Sequence, residues 1–179
     1  PAARYLHSMV ADSSRGVMVL FGGFTDGNVY NGQTWEFDGA AWAQRATSGP
    51  SPRADFSMAY DSARRVSVLF GGYAVGDKIN GETWEWDGKS WLLRANTGPK
   101  PRYFPMMAYD AARGVTVLFG GFDGTSYTAE TWEWDGSIWT QRVVAGPPPR
   151  TAGALVYDSA RKVSVLFGGY NDVTGFSHE

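Results

Sequence analysis

Short apolar runs alternate with polar breaks along the whole chain, and the alternation repeats. Residues 50–98 show it most plainly. Phe56-Ser57-Met58-Ala59-Tyr60 reads as a first strand, and Asp61-Ser62-Ala63-Arg64-Arg65 as a polar break. An Asp at such a break can hydrogen-bond the turn backbone that follows it. Val66-Ser67-Val68-Leu69-Phe70 is a second strand, apolar enough to be covered on both faces. Gly71-Gly72 ends it, and a loop runs from Tyr73 to Gly81. Glu82-Thr83-Trp84-Glu85-Trp86 predicts a third strand, whose alternation puts both tryptophans on one face and both glutamates on the other. Asp87-Gly88 is a hairpin signal, and Ser90-Trp91-Leu92-Leu93-Arg94 a fourth strand.

The same pattern occurs four times. The Gly-Gly pairs are Gly22-Gly23, Gly71-Gly72, Gly120-Gly121 and Gly168-Gly169, spaced by 49, 49 and 48 residues. Arg4, Arg53, Arg102 and Arg150 keep the same beat. Trp35/Trp42, Trp84/Trp91 and Trp132/Trp139 stand seven apart in three of the units. The units are 1–49, 50–98, 99–146 and a partial 147–179. A fixed period of about 50 residues with four short strands per unit predicts an all-β propeller of antiparallel blades. Unit four provides only Ala154 to Tyr157 and Val163 to Phe167 as strands before Phe176-Ser177-His178-Glu179, so the sequence predicts fourteen strands, about 3.5 blades. A closed ring then needs further sequence or a second copy of the chain.

Composition narrows the function classes. Sixteen Lys+Arg balance eighteen Asp+Glu for a net charge of −2, and no basic run occurs. Nucleic acid and anionic membranes are therefore not expected partners. No apolar run reaches the length of a membrane-spanning helix. Cysteine is absent, which removes disulfides, zinc-thiolate sites and thiol catalysis. The only histidines are His7 and His178, at opposite ends of the chain.

The Gly-Gly after an apolar strand, an aromatic about twelve residues later and a Trp seven beyond it resemble kelch repeats over essentially the whole chain. The TWEWDG and VYDSARRVSVLFGG-like segments resemble the kelch arrays of large bacterial proteins, usually secreted or surface-linked. That resemblance implies a kelch-type propeller and, in most such domains, protein binding. A minority of kelch-type propellers are enzymes, among them galactose oxidase with its relatives and a sialic acid mutarotase. The copper site of galactose oxidase uses a Cys-crosslinked Tyr and two His, and this chain lacks the cysteine. No catalytic residues, metal ligands or cofactors are expected.

The repeated positions read first as structure. A Gly-Gly pair can take positive φ and pass close to a neighbouring blade. No GxGxxG or GxxxxGK[ST] accompanies it, as a phosphate cradle would require. The Trp pairs read as core packing between sheets. Arg53/Arg102/Arg150 and Arg64/Arg113/Arg161 read as glue to adjacent blades, with Asp61, Asp110 and Asp158 as plausible partners. Glu36, Glu85 and Glu133 recur in each full unit and also read as structure. Asp26, Asn28, Asp123 and Asp172 are oxygen donors in loops, but without calcium-loop spacing they read as turn residues.

Positions that vary between units are the functional candidates. They lie in the loops after each Gly-Gly, Phe24–Tyr30, Tyr73–Lys78, Phe122–Tyr127 and Tyr170–Thr174, and in the lead-ins to the first strands, Tyr5-Leu6-His7, Ala54-Asp55-Phe56, Tyr103-Phe104-Pro105 and Thr151-Ala152. The kelch resemblance implies that both loop classes ring one mouth of the channel. The candidate ligand-binding set is Phe24, Tyr30, Asp55, Tyr73, Lys78, Phe104, Phe122, Tyr127 and Tyr170. The bland alternative is that these aromatics merely cap their blades. A protein ligand is the leading expectation, a glycan the alternative, and a purely structural spacer the third.

Overall fold

The structure, a computed structural model, describes residues 1–173 and 175–177. Thr174, His178 and Glu179 lie outside the described residues. Three four-stranded sheets and one two-stranded sheet follow one another along the chain, each antiparallel with strands in sequence order. The first sheet contains Ser8–Asp12, Val17–Phe21, Thr34–Phe37 and Trp42–Ala46. The second contains Ser57–Asp61, Val66–Phe70, Thr83–Trp86 and Trp91–Ala95. The third contains Met106–Asp110, Val115–Phe119, Thr131–Trp134 and Trp139–Arg142, and the last Ala154–Asp158 and Val163–Phe167. First strands of successive sheets lie side by side, so the sheets are blades fanned around a common inner edge.

The fourteen blade strands match the expected number, with ends shifted by about one residue. Asp61 joins the first strand because it pairs with Val66 across the hairpin. The hairpin tips need a left-handed residue. Gly16 and Gly114 supply it in blades one and three, whereas Arg65 and Lys162 are held at φ 59° and 58° in the other two.

The hydrophobic core lies between blades rather than within one. Val19 and Phe21 of blade one pack on Phe56, Met58, Leu69 and Trp86 of blade two. Ala59, Val68 and Phe70 of blade two pack in the same way on Met107, Leu118 and Trp134 of blade three. The Gly-Gly pairs behave as the sequence predicts. A Cβ on Gly71 would stand 2.5 Å from the Arg102 carbonyl oxygen, and Gly72 donates its N–H to that same oxygen at 2.9 Å. The Gly71 φ of 79° is open to glycine at little cost.

Three expectations need correction. First, Glu82 and Glu85 do not share a face: they stand three residues apart, so alternation itself puts Glu82 on the Trp84 side, and the strand begins only at Thr83. Glu82 sits ahead of the strand on the Trp84 side, accepting from the Trp84 indole at 3.1 Å and pairing with Arg53 at 2.6 Å. Second, the tryptophans seven apart are not the deepest: Trp35, Trp84 and Trp132 are half-buried and Trp42 is exposed. Trp86 and Trp134 are the ones sealed in the core, at 1% and 0% exposure. Third, the Arg53 guanidinium does not reach an adjacent blade. It bonds Ser51, the Gly71 carbonyl and Glu82 of its own blade, and only its backbone crosses to blade one, the N–H donating to the Asn31 carbonyl at 3.3 Å and the carbonyl accepting from Gly23 at 2.9 Å.

Each full blade gathers its own arginines on a buried glutamate, and in the first two blades the indole of the next blade crosses to join them. Glu36 accepts from Arg15 at 2.6 Å, Arg45 at 3.0 Å and the Trp86 indole of the next blade at 3.0 Å. Glu85 repeats the arrangement with Arg64, Arg94 and Trp134. Arg113 and Arg142 hold Glu133 likewise. Burial works against the Glu36 charge, yet hydrogen bonds from Arg15 and Trp86 hold its carboxyl below the usual range. Arg64 and Arg113 do pair with Asp61 and Asp110, as expected, but inside their own hairpins.

Deleting the sealed indole should be costly. Trp86→Ala removes a core ring and the donor to Glu36, for a loss of about 3–5 kcal/mol. Trp84→Ala should lose distinctly less, because its ring is half-exposed. Urea unfolding of the two variants checks this ranking; equal losses would contradict the placement of the third strand.

Candidate functional site

At one end of the blades the two loop classes meet. Each lead-in residue pairs with the aromatic that follows Gly-Gly in the same blade. Tyr5 and Phe24 exchange backbone hydrogen bonds at 3.1 and 2.9 Å, Tyr103 and Phe122 at 3.0 Å each, and Thr151 and Tyr170 at 3.0 and 2.9 Å. In blade two Ala54 pairs with Tyr73, inside a small sheet made of Arg53–Ala54, Tyr73–Ala74 and Lys78–Ile79.

The next residue in each lead-in is left-handed without being glycine: Leu6, Asp55, Phe104 and Ala152 have φ of 53°, 61°, 50° and 56°. Such a conformation costs an L-residue about 1–2 kcal/mol. In blades two to four it turns the N–H toward the preceding blade. Asp55 donates to the Leu6 carbonyl at 3.2 Å, Phe104 to Asp55 at 2.6 Å, and Ala152 to Phe104 at 3.4 Å. A backbone chain thus runs from blade to blade around the inner rim and offsets much of the strain.

The aromatics form two runs. Tyr5 stacks on Phe24 at 5.2 Å, and Phe24 lies 4.4 Å from Tyr30. Tyr73, Tyr103, Phe122, Tyr127, Tyr170 and Phe176 make a longer run with centroid separations of 4.9 to 6.0 Å. Among the described residues no ring pair joins the two runs. A cavity of about 330 Å³ lies between them, lined by Phe24, Tyr30, Asp55, Tyr73 and Tyr103. Phe104 stands edge-on to Tyr103 at 5.7 Å, outside that lining.

Asp55 is the charged group of this cavity. Its Oδ1 is buried and has no hydrogen-bond partner. None of the ion pairs among the described residues includes it. Burial pushes its carboxyl up to about 6. Burial also raises the Tyr30 and Tyr103 phenols, and the Asp55 charge adds to both shifts. Tyr73 donates its hydroxyl to Asp77 at 2.7 Å, which raises its pKa to about 12 and keeps it a neutral phenol.

Of the sequence candidates, Phe24, Tyr30, Asp55 and Tyr73 therefore meet in one cavity. Phe122, Tyr127 and Tyr170 continue the aromatic rim, and Lys78 is exposed and does not line the cavity. Tyr103 was absent from the candidate set although it bridges the cavity and the long run. Its position, the lead-in row that pairs with the post-Gly-Gly aromatics, was the available signal. His7 packs against Gly23, and burial, then the Arg4 charge, pushes its pKa down. Asp123 accepts from the backbone N–H of Thr125 and Ser126, which is turn chemistry. Among the described residues no group of three His, Cys, Asp or Glu could hold a metal ion.

No protein-family model matches the chain, and no curated protein matches it in sequence. Solved structures do match. The structure of YjhT superposes with a TM-score of 0.82 over 100% of this chain, at 13% identity. The chain has an all-β, propeller-like fold. It spans 66% of YjhT's length. At that identity the likeness speaks for the fold alone, which agrees with the fanned four-stranded sheets.

The unpaired carboxylate leads to a stability prediction. A carboxyl whose folded pKa lies above its unfolded value binds more protons folded than unfolded. Its contribution is therefore complete below about pH 4 and lost as pH rises through about 6. Asn tolerates the left-handed backbone and carries no charge. Asp55→Asn should be more stable than the parent by on the order of 2 kcal/mol at pH 7.5, and the gain should vanish below pH 4. Denaturant midpoints of both proteins across pH 3.5–8 check it; equal midpoints at pH 7.5 would show that the carboxylate is not desolvated.

Proposed function

We propose that the chain is a non-catalytic, kelch-type propeller module that binds a protein partner through this aromatic rim. The observation that carries the reading is the pairing of both loop classes, which brings two runs of aromatic rings to either side of an unpartnered carboxylate. Blade geometry requires the buried Trp86, Trp134 and Glu85, which are tied into neighbouring blades. It does not require Tyr73 or Tyr127, whose hydroxyls bond only loop aspartates. Aromatic side chains of this kind provide large, rigid contact area at low entropic cost, and they dominate the energetics of protein interfaces. The repeat anchors and the propeller-like fold support the kelch assignment. The recurrent Glu36, Glu85 and Glu133 carboxylates are each occupied by two arginines, which fits a structural role for them.

Tyr73→Ala combined with Phe122→Ala should abolish specific partner capture by the immobilised protein while leaving its thermal midpoint within a few degrees of the parent. Cross-linking and mass spectrometry of parent and variant eluates read the difference. Capture that is indifferent to both substitutions would remove the rim from the binding surface. A glycan array probed in parallel separates a sugar ligand from a protein one.

A further inference from the structure

The cavity at the junction of blades one, two and three has a composition that selects one kind of ligand. Four aromatic rings, Phe24, Tyr30, Tyr73 and Tyr103, stand around one carboxylate, and no Lys, Arg or His is among the lining residues. Ring faces carry the negative end of the aromatic quadrupole and attract cations, most strongly where water is excluded. Asp55 Oδ1 is closed off from water and has no donor within the fold, so the charge of the carboxylate that lines the cavity is left uncompensated by the protein. An anion would meet repulsion here, and a neutral apolar group would leave the carboxylate unsatisfied.

The backbone holds Asp55 in place. Its N–H is bonded to Leu6 and its carbonyl to Phe104, one contact to each neighbouring blade. The side chain therefore projects from a left-handed position fixed at both ends, at φ 61°. The Tyr73 ring is steadied in turn by its bond to Asp77 and its edge contact with Tyr103 at 5.5 Å. A cavity of about 330 Å³ is at the small end of ligand sites, about 300–1,000 Å³, and suits a side-chain head rather than an extended molecule.

We propose that this cavity is a recognition pocket for a protonated alkylamine, the side-chain ammonium of a lysine on the partner protein, unmodified or carrying one or two methyl groups. At least one N–H remains to donate to the Asp55 carboxylate, and the rings receive the charged head and its methylenes. The inference rests on the rim as the binding surface and specifies the chemistry that surface reads.

Nα-acetyl-lysine methylamide, its mono- and dimethyl forms and the neutral Nα-acetyl-norleucine methylamide are the probes, titrated into the intact chain and followed by amide NMR shifts. The amine probes should shift Asp55, Tyr73 and Tyr103 in a saturable way, and the norleucine probe should not. Comparison of the three amines shows which source of the ammonium the pocket prefers. Asp55→Asn should weaken amine binding by about tenfold or more, as for loss of a charge-assisted hydrogen bond. Tyr103→Leu should weaken it several-fold. Equal binding of the norleucine probe, unchanged affinity in Asp55→Asn, or no saturable shift with any amine would each overturn the proposal. If the amines fail while partner capture still depends on Tyr73 and Phe122, only the ammonium inference falls. If the amines bind while capture ignores the rim, the rim reading falls instead.

Discussion

The fold depends on a carboxylate that no blade can satisfy alone. Glu36 and Glu85 are nearly sealed from water, and each needs two arginines of its own blade and the indole of the next. An isolated buried charge would be strongly destabilising, so the glutamate is tolerable only when the neighbour is seated. The same step seats Trp86 against Val19 and Phe21, and Trp91 donates to Thr34 at 2.7 Å. Polar and apolar terms thus favour one spacing and one rotation between successive sheets. This explains why a chain whose sheets are individually small still forms a continuous core.

The contrast along the chain shows what that seating contributes. Phe21, Phe70 and Phe119 end the second strands of blades one to three and are 0%, 0% and 4% exposed. Phe167 holds the same place in the last sheet, whose second strand has no further strand beside it among the described residues, and it is 63% exposed. Strand sequence is nearly identical in these blades. Burial is therefore set by the neighbouring strand and blade, not by the strand itself.

The rim follows a different logic from the core. Core positions repeat because interblade geometry repeats. At the lead-in row the backbone repeats, with its left-handed turn and its bond to the preceding blade, while the side chains change from Leu6 to Asp55 to Phe104 to Ala152. A fixed backbone can therefore present different chemistry in each blade without disturbing the chain of bonds between blades. Asp55 uses that freedom at a cost, since a desolvated carboxylate without a partner opposes folding near neutral pH. Local destabilisation at a recessed, ring-lined position is the kind of departure from local consistency that accompanies recognition.

The sequence by itself determined the repeat, the fourteen blade strands and the Gly-Gly junctions. These rest on local alternation and on anchors that recur every 48 or 49 residues. It also indicated the loops that hold the rim, because variation between repeats is visible without coordinates. Tertiary structure decided the rest. Trp84 and Trp86 read alike in sequence, yet Trp84 packs at the edge of the interblade core and stays half-buried, and only Trp86 closes off from water. Arg53 read as a link between blades, but its guanidinium is consumed within its own blade and its backbone makes the link. Tyr103 and Asp55, far apart in sequence from Phe24 and Tyr30, share a cavity only because three blades converge there. Long-range packing sets which equivalent residues are buried, paired or left open, and periodicity carries no record of it.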